Sequence, residues 1–273
     1  MKKFFIILVI LILSLILYSR FINTNNFKIV ENTISIPNLP NSFEGFKIVQ
    51  FSDLLYGSTK NMNDLEKIVN SINELKPDII VFTGDLISKN YDITDNEINE
   101  IKKYLNNLEC TLYKYAIIGD NDLSIIDIYK EIINDSDFIL LDDTSTYIFY
   151  QDNTPIKLTG LTNSNNIENT LSTTDNLDTF YNIVLTHYPD YIDTIANYNV
   201  DLVLAGHSLL GQIRIPFFGG VIKKDNATKY LDSYYMVNNT KIFVSAGLGT
   251  DNNFKFRLFN KPTINLYRLN KES

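Results

Sequence analysis

Short apolar, β-branched runs recur along most of this chain: FKIVQFSD (46–53), DIIVFTGD (78–85), YAIIGD (115–120), NIVLTH (182–187), VDLVLAGH (200–207), KIFVSAG (241–247) and INLYRL (264–269). Most show no alternation of apolar and polar positions, which predicts strands buried on both faces. Between several runs the apolar spacing changes to that of a helix. Leu65, Ile68, Val69, Ile72 and Leu75 form one stripe. Ile98, Ile101, Leu105 and Leu108 form another, behind the capping box TDNE at 94–97. Strand–helix–strand alternation predicts an α/β domain with parallel pairing. The polar stretch at 162–179 predicts a long surface loop, and no internal repeat is visible.

The N-terminus breaks this pattern. Two lysines precede an apolar stretch from Phe4 to Leu17, interrupted only by Ser14 and closed by Tyr18. A spanning helix needs about 20 residues, and Tyr18 and Phe21 suit the far interface. The rival reading is a cleaved signal peptide, but LYSRFINTN has no A-x-A-like site. No twin arginine is present, and no cysteine follows the apolar run to carry a lipid. The expectation is a signal anchor over 1–21, a tether over 22–44 and one domain over 45–273. Lys2 and Lys3 outweigh Arg20, so the positive-inside rule places the domain on the extracellular side of the cell membrane, on a single-pass anchor.

Composition narrows the function classes. The formal charge is −8 and the pI about 4.8, with no basic run after the N-terminus, which argues against nucleic-acid binding through phosphate neutralisation. A single cysteine, Cys110, excludes an intramolecular disulfide framework.

Five of the strand-like runs end on a residue type that ligates metals: Asp53, Asp85, Asp120, His187 and His207. The last two are the only histidines in the chain. In α/β sheets the ligand crevice lies beyond the carboxyl ends of the strands. Carboxylates and imidazoles gathered there suit a divalent cation, and three carboxylates at one crevice are costly without one.

The ordered segments SDLL (52–55), TGDL (83–86), IGDND (118–122), LTHYPD (185–190) and AGHSLLGQIRIP (205–216) resemble the five signatures of the calcineurin-like metallophosphoesterases. VSAGLGTDNNFKFRLFNKP (244–262) is similar to the small bacterial membrane-associated branch of that family. The resemblance covers roughly residues 45–270 and implies a four-layer α/β/β/α sandwich, with the site at one end of two sheets. It also implies two metal ions that activate a bridging water and clamp the phosphoryl oxygens. By that resemblance Asp85 bridges both ions. Asp53 belongs to the first ion; Asp120, His187 and His207 belong to the second.

The sequence departs from the family pattern at four positions. Leu55 and Leu209 stand where the first ion's two histidines belong. Asn121 stands at the catalytic histidine position and Asp120 at that of the asparagine ligand. The resemblance therefore implies one divalent ion (Mn, Zn or Fe) on Asp85, Asp120, His187 and His207, with Asp53 a remnant of the first site. The two leucines are expected to fill the space of the first ion. The reading is a membrane-attached pseudoenzyme with little or no hydrolase activity; the alternative is an active one-metal phosphoester hydrolase. Tyr56 and Asp122 are the nearest substitutes for the lost acid, although each also reads as an ordinary loop residue. Substrate and protein partner are not legible.

Overall fold

The computed structural model describes residues 1–37, 39–172 and 180–272. Fourteen strands are present among them: β1 (Lys28–Ile36), β2 (Lys47–Phe51), β3 (Ile79–Phe82), β4 (Lys114–Ala116), β5 (Phe138–Leu140), β6 (Thr144–Ile148) and β7 (Ile156–Leu161), then β8 (Tyr181–Thr186), β9 (Leu202–Ala205), β10 (Arg214–Ile215), β11 (Gly219–Gly220), β12 (Tyr234–Val237), β13 (Thr240–Val244) and β14 (Thr263–Lys271). The helices are α1 (Lys2–Leu17), α2 (Met62–Leu75), α3 (Asp95–Asn106), α4 (Asp120–Leu123), α5 (Ile126–Asp135), α6 (Ile167–Leu171) and α7 (Ile192–Ile195).

Two six-stranded sheets carry the domain, in the orders β1-β14-β2-β3-β4-β5 and β12-β13-β9-β8-β7-β6. All pairs are parallel except β14 with β2, β12 with β13, and β6 with β7. Each apolar run splits its side chains between two cores, which is why it does not alternate in polarity. Ile48, Ile79, Val81 and Tyr115 face the space between the sheets, where they meet Leu158, Ile183, Leu185, Leu202 and Leu204. Val49, Phe51, Ile80 and Phe82 point outward against the buried stripes of α2, α3 and α5. On the far side Val184, Val203 and Ile242 pack under Ile192 and Ile195 of α7. The result is the expected four-layer α/β/β/α sandwich.

The seven expected strands are all present, and both expected helices are capped. Asn61 and Asp64 close a reciprocal box on α2, as Thr94 and Glu97 do on α3. Two expectations change. Residues 28–36, inside the expected tether, form β1 and pair in parallel with β14. Ile34 and Ile36 enter the inter-sheet core, followed by Leu39 and Phe43. Only one face of this edge strand is buried, so its polar outward face masks it in the sequence. The expected loop at 162–179 contains a 3-10 turn at Ser164–Asn166 and then α6, whose Ile167 is buried. Residues 173–179 of that stretch lie outside the described residues.

At the N-terminus α1 runs into a wider turn over Tyr18–Ile22, giving a 21-residue apolar helix long enough to cross a membrane. Its end is tied to the domain: the Arg257 amide donates to the Ser19 carbonyl (3.2 Å) and the Asn23 side chain donates to the Arg257 carbonyl (3.0 Å).

Candidate metal centre

The carboxyl ends of β2 and β3 in one sheet and of β8 and β9 in the other converge, and their outgoing loops interlock. The Asp53 amide donates to the Gly84 carbonyl (2.9 Å), Leu55 to Asp85 (3.1 Å), and Gly206 to His187 (3.2 Å). Beneath them Gln50 joins the sheets. Its amide donates to Thr83 Oγ1 and to the Ala205 carbonyl, both at 3.0 Å, while Tyr267 donates to its oxygen (2.7 Å). Three of the strand-end residues leave their strands in the left-handed region: Asp53 (φ 48°), Asp85 (φ 64°) and His207 (φ 60°). Such conformations cost of order 1–3 kcal/mol each and persist only where neighbours enforce them.

Asp85, Asp120, His187 and His207 each place one ligand atom within 4.8 Å of all the others. His207 Nδ1 lies 2.9 Å from Asp120 Oδ1 and 3.2 Å from His187 Nε2. His187 Nε2 lies 3.1 Å from Asp120 Oδ1 and 3.5 Å from Asp85 Oδ2. The opposite nitrogens fix the tautomers. His187 Nδ1 donates to the Thr83 carbonyl at 2.7 Å, and His207 Nε2 donates to the Asp225 carbonyl at 2.9 Å. Both remaining imidazole lone pairs therefore point at each other and at two carboxylates. Only a positive charge makes that arrangement favourable, and backbone carbonyls behind ligand histidines are the usual orienting partners.

The electrostatics agree. Burial works against a charge on His187, but Asp85, Asp120 and Asp53 outweigh it and raise its pKa well above the ordinary value. Burial alone would raise Asp120, yet its contacts with the two histidines hold it well below the carboxylate range. A proton on His187 Nε2 and a metal ion on that lone pair are alternative responses to the same field. The donor set fits a divalent ion: two carboxylates balance its charge, and two neutral imidazoles complete a four-ligand shell.

Asp53 is the fifth strand-end residue. Its Oδ2 accepts from Ser52 Oγ (2.6 Å) and from the His207 amide (3.1 Å), while Oδ1, fully buried, has no hydrogen-bond partner. Burial raises its pKa, Asp85 adds to that, and His187 and Lys224 oppose it.

The family model for calcineurin-like phosphoesterases matches residues 46–210, which carry all five strand-end residues. The chain belongs to this family. It is 32% identical over 258 residues to the uncharacterized metallophosphoesterase YkuE of Bacillus subtilis, covering 92% of this chain and 88% of that protein. It is 25% identical over 253 residues to a transmembrane protein with metallophosphoesterase domain from Danio rerio, of whose length it spans 53%. It is 24% identical over 253 residues to the UDP-2,3-diacylglucosamine pyrophosphatase LpxG of Chlamydia muridarum, with 74% of each chain covered.

The positions expected to depart from the pattern of the calcineurin-like family are all described. Leu55 and Leu209 are buried, at 2% and 0% exposure, and both lie against the loop after β13. Leu209 Cδ2 is 2.5 Å from where a Cβ on Gly247 would stand, and Leu55 Cβ is 2.6 Å from the equivalent point on Gly249. Any side chain at either glycine would collide with a leucine, and Gly247 also has φ +66°. Asn121 clamps Asp85: its amide donates to Oδ1 and its side-chain Nδ2 to Oδ2, both at 2.9 Å. Asp122 is fully buried and accepts from the amides of Asp85 (2.8 Å), Leu86 (2.9 Å) and Gly119 (2.9 Å). Burial and the nearby Asp85 push its pKa up to about 7, but its lone pairs are committed to tying two loops together. Tyr56 donates to Glu97 (2.9 Å), which engages its phenol in the packing of α3.

Sequence reasoning missed three features of the site. The Thr83 and Asp225 carbonyls orient the histidines, but backbone groups leave no sequence signal. The Asn121–Asp85 clamp was hidden because Asn121 read only as a replacement. A cleft of about 630 Å³ opens over Asp120 and His207, and Lys89 and Lys224 line it, each a few residues beyond a motif (TGDL and AGHSLLGQIRIP) that does not itself include a lysine.

Proposed function

We propose that this is a membrane-anchored calcineurin-like phosphoesterase homologue that holds one divalent ion on Asp85, Asp120, His187 and His207 and hydrolyses phosphoesters slowly or not at all. One observation carries the reading. Both imidazole lone pairs are oriented into a single ligand cluster, while the positions of the other ion's histidines are buried leucines. Asp85, a bridging ligand by family pattern, has both oxygens engaged by Asn121 and retains the contact with His187. An ion bound here supplies Lewis acidity and lowers the pKa of a coordinated water. Asn121 stands at the position of the family's catalytic histidine, and a general acid contributes about 10²–10⁴-fold. The ion is Mn, Zn or Fe, and the domain lies on the extracellular side of the cell membrane.

The polar cleft beside Asp120 and His207, with Lys89 and Lys224 in its wall, favours a second reading as an active one-metal phosphoester hydrolase. Elemental analysis of the purified full chain and hydrolysis of bis(p-nitrophenyl) phosphate separate the two. The expected result is one ion per chain, lost in His187→Ala and His207→Ala, with negligible turnover. Two ions per chain would overturn the single-site account. Metal-dependent turnover that disappears in His207→Ala would establish the second reading.

A further inference from the structure

β10 and β11 form a small antiparallel ribbon whose turn projects from the domain, with Phe217 107% and Phe218 86% exposed. Two adjacent phenylalanines with this exposure are unusual on a water-facing surface, since a protruding apolar tip marks a contact site. They are not isolated. The Arg214 amide donates to the Leu258 carbonyl (2.9 Å), which docks the ribbon on the 254–259 segment. That segment carries exposed Phe254 and Phe259, and through Arg257 it is hydrogen-bonded to Ser19 and Asn23 at the end of the N-terminal helix. Exposed Phe21 lies on that helix end. Three segments far apart in sequence therefore lie side by side.

Charge singles out the same surface. The chain has 24 basic and 32 acidic residues, yet residues 18–30, 213–224 and 254–262 contain eight Lys or Arg and no Asp or Glu. Of these, Arg257 is buried and Arg214 and Lys224 pair with Asp232 and Asp251, while Lys28, Lys223, Lys255 and Lys261 are exposed. Exposed phenylalanines with exposed lysines on the same segments, next to an apolar helix, match the chemistry of a bilayer interface with anionic headgroups.

We propose that the Phe217–Phe218 turn is a second membrane contact, inserted at the interface of the bilayer that the N-terminal helix crosses; the proposal rests on that helix being an anchor. Lys224 and Asp251–Asn253, which line the cleft over the candidate metal centre, follow the ribbon and precede Phe254 in the chain, so the proposal brings that cleft near the headgroups.

The chain has no tryptophan, so Phe217→Trp supplies a single fluorescent probe. The full-length variant is reconstituted into phosphatidylcholine/phosphatidylglycerol vesicles and compared with Phe149→Trp, a site 48% exposed beyond the end of edge strand β6. The expected result is blue-shifted emission from Phe217→Trp, at least twofold quenching by lipids brominated in the acyl chain, and shielding from acrylamide. Phe149→Trp should remain water-like. Phe217→Trp protein that floats with vesicles but is unquenched by brominated lipid would overturn the proposal and leave the anchor standing. Protein that does not float would overturn both. Acrylamide shielding that grows with protein concentration in detergent, without lipid quenching, would assign the turn to a second copy of the chain instead.

Discussion

His187 and His207 are the two imidazoles of the candidate metal cluster. Each ring has one nitrogen committed to a carbonyl, Thr83 for the first and Asp225 for the second, so the other nitrogen faces the cluster, open to a proton or a metal ion. The two leucines act oppositely, offering apolar volume where coordination would need nitrogen. This contrast gives a repair prediction. Leu55→His and Leu209→His together with Asp120→Asn and Asn121→His should restore a second ion and raise phosphodiester turnover by at least about 10³-fold. Asn121→His alone should gain almost nothing, because residues that act as one unit contribute little singly. It also removes a hydrogen bond from Asp85. Metal content and rate measured on the same samples check this; an active Asn121→His single variant would contradict it.

At the level of elements, strand ends carry the candidate ligands and helix caps hold the neighbouring loops. Glu97 is the clearest case. It closes the α3 capping box on Thr94 (3.0 Å to the amide) and also accepts from the phenols of Tyr91 (2.7 Å) and Tyr56 (2.9 Å). The Thr94 amide, followed by the Tyr91 phenol, lowers its pKa to about 2. A carboxylate depressed in the folded state stabilises above its unfolded pKa, and that contribution is lost as pH falls through the folded value. Glu97→Gln should therefore cost about 1 kcal/mol near neutral pH, allowing for screening at this partly exposed site. The difference from the unaltered chain should shrink between about pH 4.5 and pH 2. Thermal unfolding of both proteins across that range checks it, and a gap that stays constant in acid would refute the assignment.

For the whole molecule, the two sheets and the N-terminal helix are one connected structure, because β1 follows the helix directly and pairs with the C-terminal strand β14. A bilayer crossed by that helix would therefore have the domain at its surface, not trailing on a long tether. Lys2 and Lys3 on the short side predict that the domain faces outward. Protease added to intact cells should degrade the domain while the protein fractionates with membranes. Protection until the cells are lysed would reverse the orientation, and full-length protein in the soluble fraction would remove the anchor.

Much of this architecture is legible from the chain alone, for a physical reason: strands buried on both faces must be apolar throughout, and their ends must turn polar. The run DIIVFTGD thereby announces both a central strand and Asp85, and LTH and AGH do the same for His187 and His207. The stripes of α2 and α3 are equally local, since helical burial is written at fixed spacing. β1 is not legible, because an edge strand with one wet face carries half the signal. Nor are the histidine tautomers, the Asn121 clamp or the roles of Asp122 and Tyr56, since each depends on a partner chosen by folding. The basic, aromatic surface beside the helix exit is the extreme case. Its residues are scattered over three segments of an acidic chain, and only their pairing through Arg257 and Leu258 brings them to one face.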